Sequence, residues 1–188
     1  MKLIRLFVFI FCLIIGSSFS QSVTVSGVAV PGDLTLAEKK LLLNGAGTRE
    51  KYFMDMYVGA LYLPAKSSDA KKIIAADEST AITLHIVSSL ITSSRMQEAI
   101  TEGFEKSTGG NTAALKDKIN TFTKIFSEAI TKQDIFRITY QTKEGLTVYK
   151  NGIKKGSIPG LDFKKALWGI WLGDDPADDD LKSAMLGK

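Results

Sequence analysis

Hydrophobic periodicity changes three times along this chain, and the order of the changes restricts the fold more than any other feature. Strand-like runs fill Val23 to Val87, with one short helical stretch between them. Helical spacing takes over from Met96 to Ala129. Strand-like spacing returns from Phe136 to Ile158, and helical spacing closes the chain from about Asp162 to Leu186. Strands then helices, twice over, is not the regular βαβ order of a parallel sheet. It predicts an α+β domain, a large antiparallel sheet covered on one face by helices.

Individual segments sharpen that expectation. Ser22 to Val30 reads as one strand ended by Pro31-Gly32, and Leu41-Leu42-Leu43-Asn44 as a short apolar run into Gly45-Ala46-Gly47. Tyr52 to Leu63 is a long strand, apolar on both faces, so its second face is covered or lines a cavity. Ser68 to Ala76 reads as a short helix. Thr80 to Val87 is a strand with Ile82, Leu84 and Ile86 on one face and His85 on the other. Ser93 or Ser94 is placed to cap a helix carrying Met96, Ile100, Gly103 and Phe104. After Gly109-Gly110, a second helix carries Leu115, Ile119, Phe122, Phe126 and Ala129 on one stripe. Asn151-Gly152 marks a tight hairpin inside a three-strand meander ending at Ile158. A helix from about Asp162 to Trp171, ended by Gly173, precedes a last short helix.

The first twenty residues read as an address. Lys2 and Arg5 precede an unbroken apolar run from Leu6 to Ile15, and Ser18 and Ser20 supply a small-x-small cleavage pattern. This is the pattern of a secretory signal peptide over residues 1–20, with one domain expected over residues 21–188. Ten apolar residues are too few to span a bilayer, which takes ~20. No later run is longer, so no transmembrane anchor is expected in the mature chain. The only cysteine, Cys12, leaves with the leader, as do two of the cations behind the formal charge of +4. The remaining domain is expected to be exported, periplasmic or secreted, and held by its core without disulfides.

Few residues suggest chemistry by themselves. Gly45-Ala46-Gly47 lacks the third glycine and the following helix of a dinucleotide loop, and reads as a bulge or turn. His85 stands alone, with no cysteine and no G-x-S-x-G, so neither a zinc site nor a triad is expected. The aspartates from Asp174 to Asp180 read as a helix cap. Lys143, Lys150, Lys154 and Lys155 read as protection of sheet edges. Trp168 and Trp171 read as the docking face of their helix. Basic residues are not interleaved with aromatics, so no nucleic-acid partner is expected. No cofactor or metal is expected, and the oligomeric state stays open.

A resemblance extends this reading. Leu43-Asn44-Gly45-Ala46-Gly47-Thr48-Arg49 and Tyr57-Val58-Gly59-Ala60-Leu61-Tyr62-Leu63 resemble the opening of the chalcone isomerase-like superfamily. Ser94-Arg95-Met96-Gln97-Glu98-Ala99 and Leu167-Trp168-Gly169-Ile170-Trp171-Leu172-Gly173 look like its bacterial exported branch. The resemblance implies an open-faced β-sandwich and two ligand-facing positions, Arg49 and Tyr57. The second is a threonine in the plant enzymes and a tyrosine in the fatty-acid binders. Where the enzymes carry a tyrosine and an asparagine on a helix, this chain has Ser93 and Ile100; where they carry a late threonine or serine, it has Ile170. The turn between Arg49 and Tyr57 is also shorter. The resemblance therefore implies non-catalytic binding of a small amphipathic acid, such as a fatty acid, in an apolar cleft. The alternatives are an intramolecular lyase (isomerase) of the chalcone isomerase type and a cell-envelope interaction protein.

Overall fold

The computed structural model describes residues 21–188; the expected leader, residues 1–20, lies outside the described residues. Two short strands come first, β1 (Val23–Val25) and β2 (Val28–Val30), paired as a hairpin. The single strand expected over Ser22 to Val30 thus folds back on itself. Ser26 and Gly27 take φ of 43° and 76°, which turns the chain in two residues.

The main sheet follows the chain without a crossover. Its strands are β3 (Asp33–Leu36), β4 (Lys39–Lys51), β5 (Met54–Leu63), β6 (Thr80–Ile86), β7 (Ile135–Gln141), β8 (Gly145–Lys150) and β9 (Ile153–Ile158). Each pairs antiparallel with the next, in that order. The run expected at Leu41 to Asn44 is only part of β4, which continues straight through Gly45 and Gly47.

Helices fill the connections. They are α1 (Ala70–Ala75), α2 (Ser93–Ser107), α3 (Lys116–Lys124), α4 (Leu161–Leu172) and α5 (Asp179–Met185), with a 3-10 turn at Ala113–Leu115 before α3. Thr92, not Ser93 or Ser94, caps α2 by accepting from the Arg95 amide. The expected stripe on the second helix is shorter than its spacing suggested. The helix ends at Lys124; Phe126 is buried beyond it, Ala129 is exposed and Ile130 is buried instead. Asp178 caps α5 by accepting from the Leu181 amide, as the acidic run implied.

The glycines of the opening motif have a packing role. A Cβ on Gly45 would lie 2.0 Å from the Ala184 carbonyl oxygen, and one on Gly47 2.5 Å from the Ala184 Cβ. Helix α5 therefore rests directly on the β4 backbone, as only glycine allows. The bulge expected here falls beside them, where the register shifts between Leu43 and Gly45. Asn44 at that point donates to Ser67 and Met185 carbonyls and accepts from the Ser67 amide.

The helix side of the sheet holds the larger core, with Phe104, Phe122, Phe126, Phe136 and Phe163 in mutual ring contact. A second cluster, including Val58, Ala60 and Tyr62, lies on the other face against the β1–β2 hairpin. Tyr62 donates to the Pro31 carbonyl at 3.0 Å and fastens that hairpin. This is why β5 is apolar on both faces. The lysines divide by position. Lys154 and Lys155 do lie on the edge strand β9, but Lys150 lies on β8, inside the sheet, and pairs with Asp134 at 3.1 Å. That inner position needs no edge protection; burial of Asp134 makes a cation necessary instead.

Lys164 on α4 is fully buried. Its ammonium donates to the carbonyls of Ile73, Ile74 and Ala76, where α1 ends. These are the acceptors that a helix C-terminus leaves unmet. Removing the donor strands them, so Lys164→Met is expected to cost about 3 kcal/mol of stability in urea denaturation. Burial lowers the Lys164 ammonium from 10.5 to about 8. Above that value the unfolded chain holds the extra proton, so this residue's contribution rises with pH. The stability difference between wild type and Lys164→Met should therefore widen as pH rises from about 8 to about 10.

Candidate functional site

The register of β4 on β5 places Arg49 directly opposite Tyr57. Side chains directly opposite across two strands share a face, here the helix side. The Arg49 guanidinium carbon lies 5.7 Å from the centre of the Tyr57 ring. The Tyr57 hydroxyl accepts a hydrogen bond from Trp171 Nε1 on α4 at 2.9 Å. Only 6% of Tyr57 is exposed. Burial pushes its phenol above the ordinary 10.0, opposed by the Arg49 charge and the Trp171 hydrogen bond. The hydroxyl therefore keeps its proton at neutral pH.

That proton has no acceptor among the described residues. Trp171 takes a lone pair, and no other hydrogen bond to the Tyr57 hydroxyl is present among them. Arg49 is in the same condition: its Nε is buried without a partner. No described carboxylate forms an ion pair with it. Buried donors are nearly always satisfied. Arg137 Nε and Trp168 Nε1 are likewise without a partner, but neither residue lines the cavity that Arg49 and Tyr57 share.

Both groups line one cavity of about 470 Å³ between the sheet and the helices. Its inner wall is apolar, with Leu84, Phe122, Phe126, Ile138 and Leu167. Its rim carries Lys51, Arg95, Glu98 and Glu102. A volume of this size suits a small organic ligand, for which pockets run ~300–1,000 Å³. Ile100 and Ile170 also line it, so the positions where the resemblance led one to look for polar groups are apolar wall. Ser93 is not part of the lining. His85 lies half-buried on the opposite face, paired with Val58 and Ile135, and its imidazole is lowered by burial. Among the described residues no cluster of metal-ligating side chains occurs.

Two contributors escaped the sequence reading. Trp171 was expected only to dock its helix, and it also orients Tyr57. Asp178 was expected only to cap α5, and its second oxygen accepts from the Glu50 amide at 3.1 Å. Glu50 follows the register shift at Arg49/Glu50, so one carboxylate ties the start of α5 to the bulge beside Arg49. The only prior sign was an aspartate three residues before Leu181, within an acidic run.

The sequence model of the chalcone isomerase-like family matches residues 22–187. The chain belongs to the chalcone isomerase-like family. Its structure is similar to that of a fatty-acid binding protein of Arabidopsis thaliana, with a TM-score of 0.71 and 18% identity. The match covers 88% of this chain and 96% of that one. At that identity the likeness establishes the fold, a curled antiparallel sheet with helices on its face. No curated protein sequence matches the chain.

Within this chalcone isomerase-like fold, the two unforeseen contacts can be tested by stability. Trp171→Phe keeps an aromatic ring but loses the donor and part of the buried volume, and should cost about 2 kcal/mol. Asp178→Ala removes the cap and should cost about 1 kcal/mol. Both are readable as shifts of the urea midpoint at unchanged slope.

Proposed function

We propose that this protein is exported and binds a small amphipathic acid, of the fatty-acid kind, without transforming it. The observation that carries the reading is the pair of unmet buried donors, Arg49 Nε and the Tyr57 hydroxyl, in the lining of a largely apolar cavity. An acid head accepts from both at once. A guanidinium contact to a carboxylate is charge-assisted and open to a second, parallel hydrogen bond. The alkyl part then replaces water against Leu84, Phe122 and Phe126. The similarity to a fatty-acid binding protein supports the same class of ligand.

Binding is favoured over isomerisation by the wall at Ile100 and Ile170. Ring closure of an enone needs polar groups that position the nucleophilic oxygen, and two aliphatic side chains supply none. Export is supported by the leader pattern alone, and N-terminal sequencing of the secreted protein should begin at Gln21.

Native mass spectrometry of the purified mature chain should show a co-purified acidic lipid. Arg49→Gln should weaken binding of a long-chain acid by ten- to a hundredfold, about 1.5–3 kcal/mol. Tyr57→Phe should weaken it about fivefold, and the methyl ester of the same acid should respond to neither change. Affinity should fall as pH drops through the carboxylate range near ~4–5, because the acid loses the charge that Arg49 meets. If no acid binds, or the ester binds as tightly and Arg49→Gln changes nothing, the reading is wrong.

A further inference from the structure

Four hairpins among the described residues turn through two consecutive residues with positive φ. In β1–β2 these are Ser26 and Gly27, at 43° and 76°; in β3–β4 Ala37 and Glu38, at 45° and 65°; in β8–β9 Asn151 and Gly152, at 51° and 81°. Small residues with glycine second are what such a turn prefers. In β4–β5 the same turn is made by Tyr52 and Phe53, at 56° and 60°. Aromatic residues there carry the Cβ clash that glycine avoids. Ala37 and Glu38 show that the turn itself tolerates other residues; what sets Tyr52 and Phe53 apart is that two large rings occupy it, largely in water.

The side chains do not stabilise the fold. Phe53 is 103% exposed, Tyr52 75% and Met54 43%. They adjoin the cavity mouth, which Tyr52 reaches directly. Tyr52 and Lys51 line it, with Leu90 and Arg95 also on its wall. The Lys51 ammonium lies 5.4 Å over the Tyr52 ring. Glu50 and Asp55 face each other directly behind, so charge of both signs begins one residue from the apolar tip.

The size of the tip decides its partner. Three side chains on a turn cannot supply the ~800 Å² per side that a standard protein interface buries. A lipid surface needs no shape complement. Its headgroup region accepts tyrosine rings and lets a lysine reach water along its stem. We propose that Tyr52, Phe53 and Met54 insert shallowly into a bilayer surface and seat the cavity mouth there, so that an acid passes between bilayer and cavity without crossing bulk water. The transfer step rests on the binding reading above; the docking step does not. Glu50 and Asp55 set the depth, and the mixed charge makes the contact apolar in origin and tolerant of salt.

The test uses the mature chain and phosphatidylcholine–phosphatidylglycerol vesicles. Wild type should float with them at low and at high salt. Phe53→Gly relaxes the turn, so its melting temperature should not fall, yet flotation should drop at least about tenfold, the worth of one buried phenyl group. In Phe53→Trp, vesicles with brominated acyl chains should quench the new indole. Phe53 does not line the cavity. Phe53→Gly should therefore slow uptake of a long-chain acid from vesicles while leaving affinity for a water-soluble short-chain acid unchanged. Flotation of wild type no greater than that of Phe53→Gly, an unquenched Phe53→Trp, or a dimer dissolved by Phe53→Gly would overturn the proposal. A protein that binds the soluble acid but ignores vesicles loses only the docking. One that floats but binds no acid loses only the binding reading.

Discussion

The close seating of α5 on the glycines of β4 and β5 organises this molecule. Gly45 and Gly47 present bare backbone, and a Cβ on Gly59 would stand 3.2 Å from Leu181. A helix that lies so near the sheet brings its first turn level with the end of β4. Asp178 can then reach both the Leu181 amide and the Glu50 amide. The bulge at Arg49/Glu50 is held from the same point, and α4, which leads into α5, lays Trp171 over Tyr57. A side chain at Gly45 or Gly47 would lift α5 and disturb the surroundings of Arg49 and Tyr57 together.

Two buried polar centres show how satisfaction separates structure from function. Lys164 is wholly buried and meets three carbonyls, so its hydrogen-bonding capacity is complete and its role is to finish α1. Arg49 and Tyr57 are surrounded as closely on the ring and Nε sides, and neither has an acceptor for its proton. The chemistry is similar, cation and hydroxyl against aromatic rings. The difference is that one centre is closed and the other is open toward a cavity. Unmet donors cost stability in the empty protein, and an acceptor brought by a ligand returns it.

The local patterns that were legible in the sequence are those decided within a few residues. Alternation located β6, the meander and its Asn151-Gly152 turn; a long apolar run located β5, and helical spacing located α2 and α4. The α+β order followed from their sequence. Patterns decided by distant contacts were misread. Val23 to Val30 alternates well enough for one strand, but a Ser-Gly pair in the middle folds it. Gly45 and Gly47 look like a turn because glycine weakens a strand, yet here the weakness is offset by a helix pressed against it. Ala129 fits a stripe whose helix has already ended, since the chain must leave α3 to reach β7.

Arg49 and Tyr57 could be singled out from sequence because they sit on motifs of the chalcone isomerase-like kind, and periodicity puts Tyr57 on a face with Gly59. Trp171 and Asp178 could not. Their partners lie 114 and 128 residues away in the chain, and no local spacing encodes a hydrogen bond across that distance. The sequence by itself determined the element types, the antiparallel class and the residue types available for an acid head. Only the tertiary structure decided that Arg49 and Tyr57 share one cavity, that their donors stay unmet, and that the exposed ring of Tyr52 is part of its lining. Backbone preference and burial pattern are short-range properties of the chain. A cavity is a gap between elements, and it exists only after they have packed.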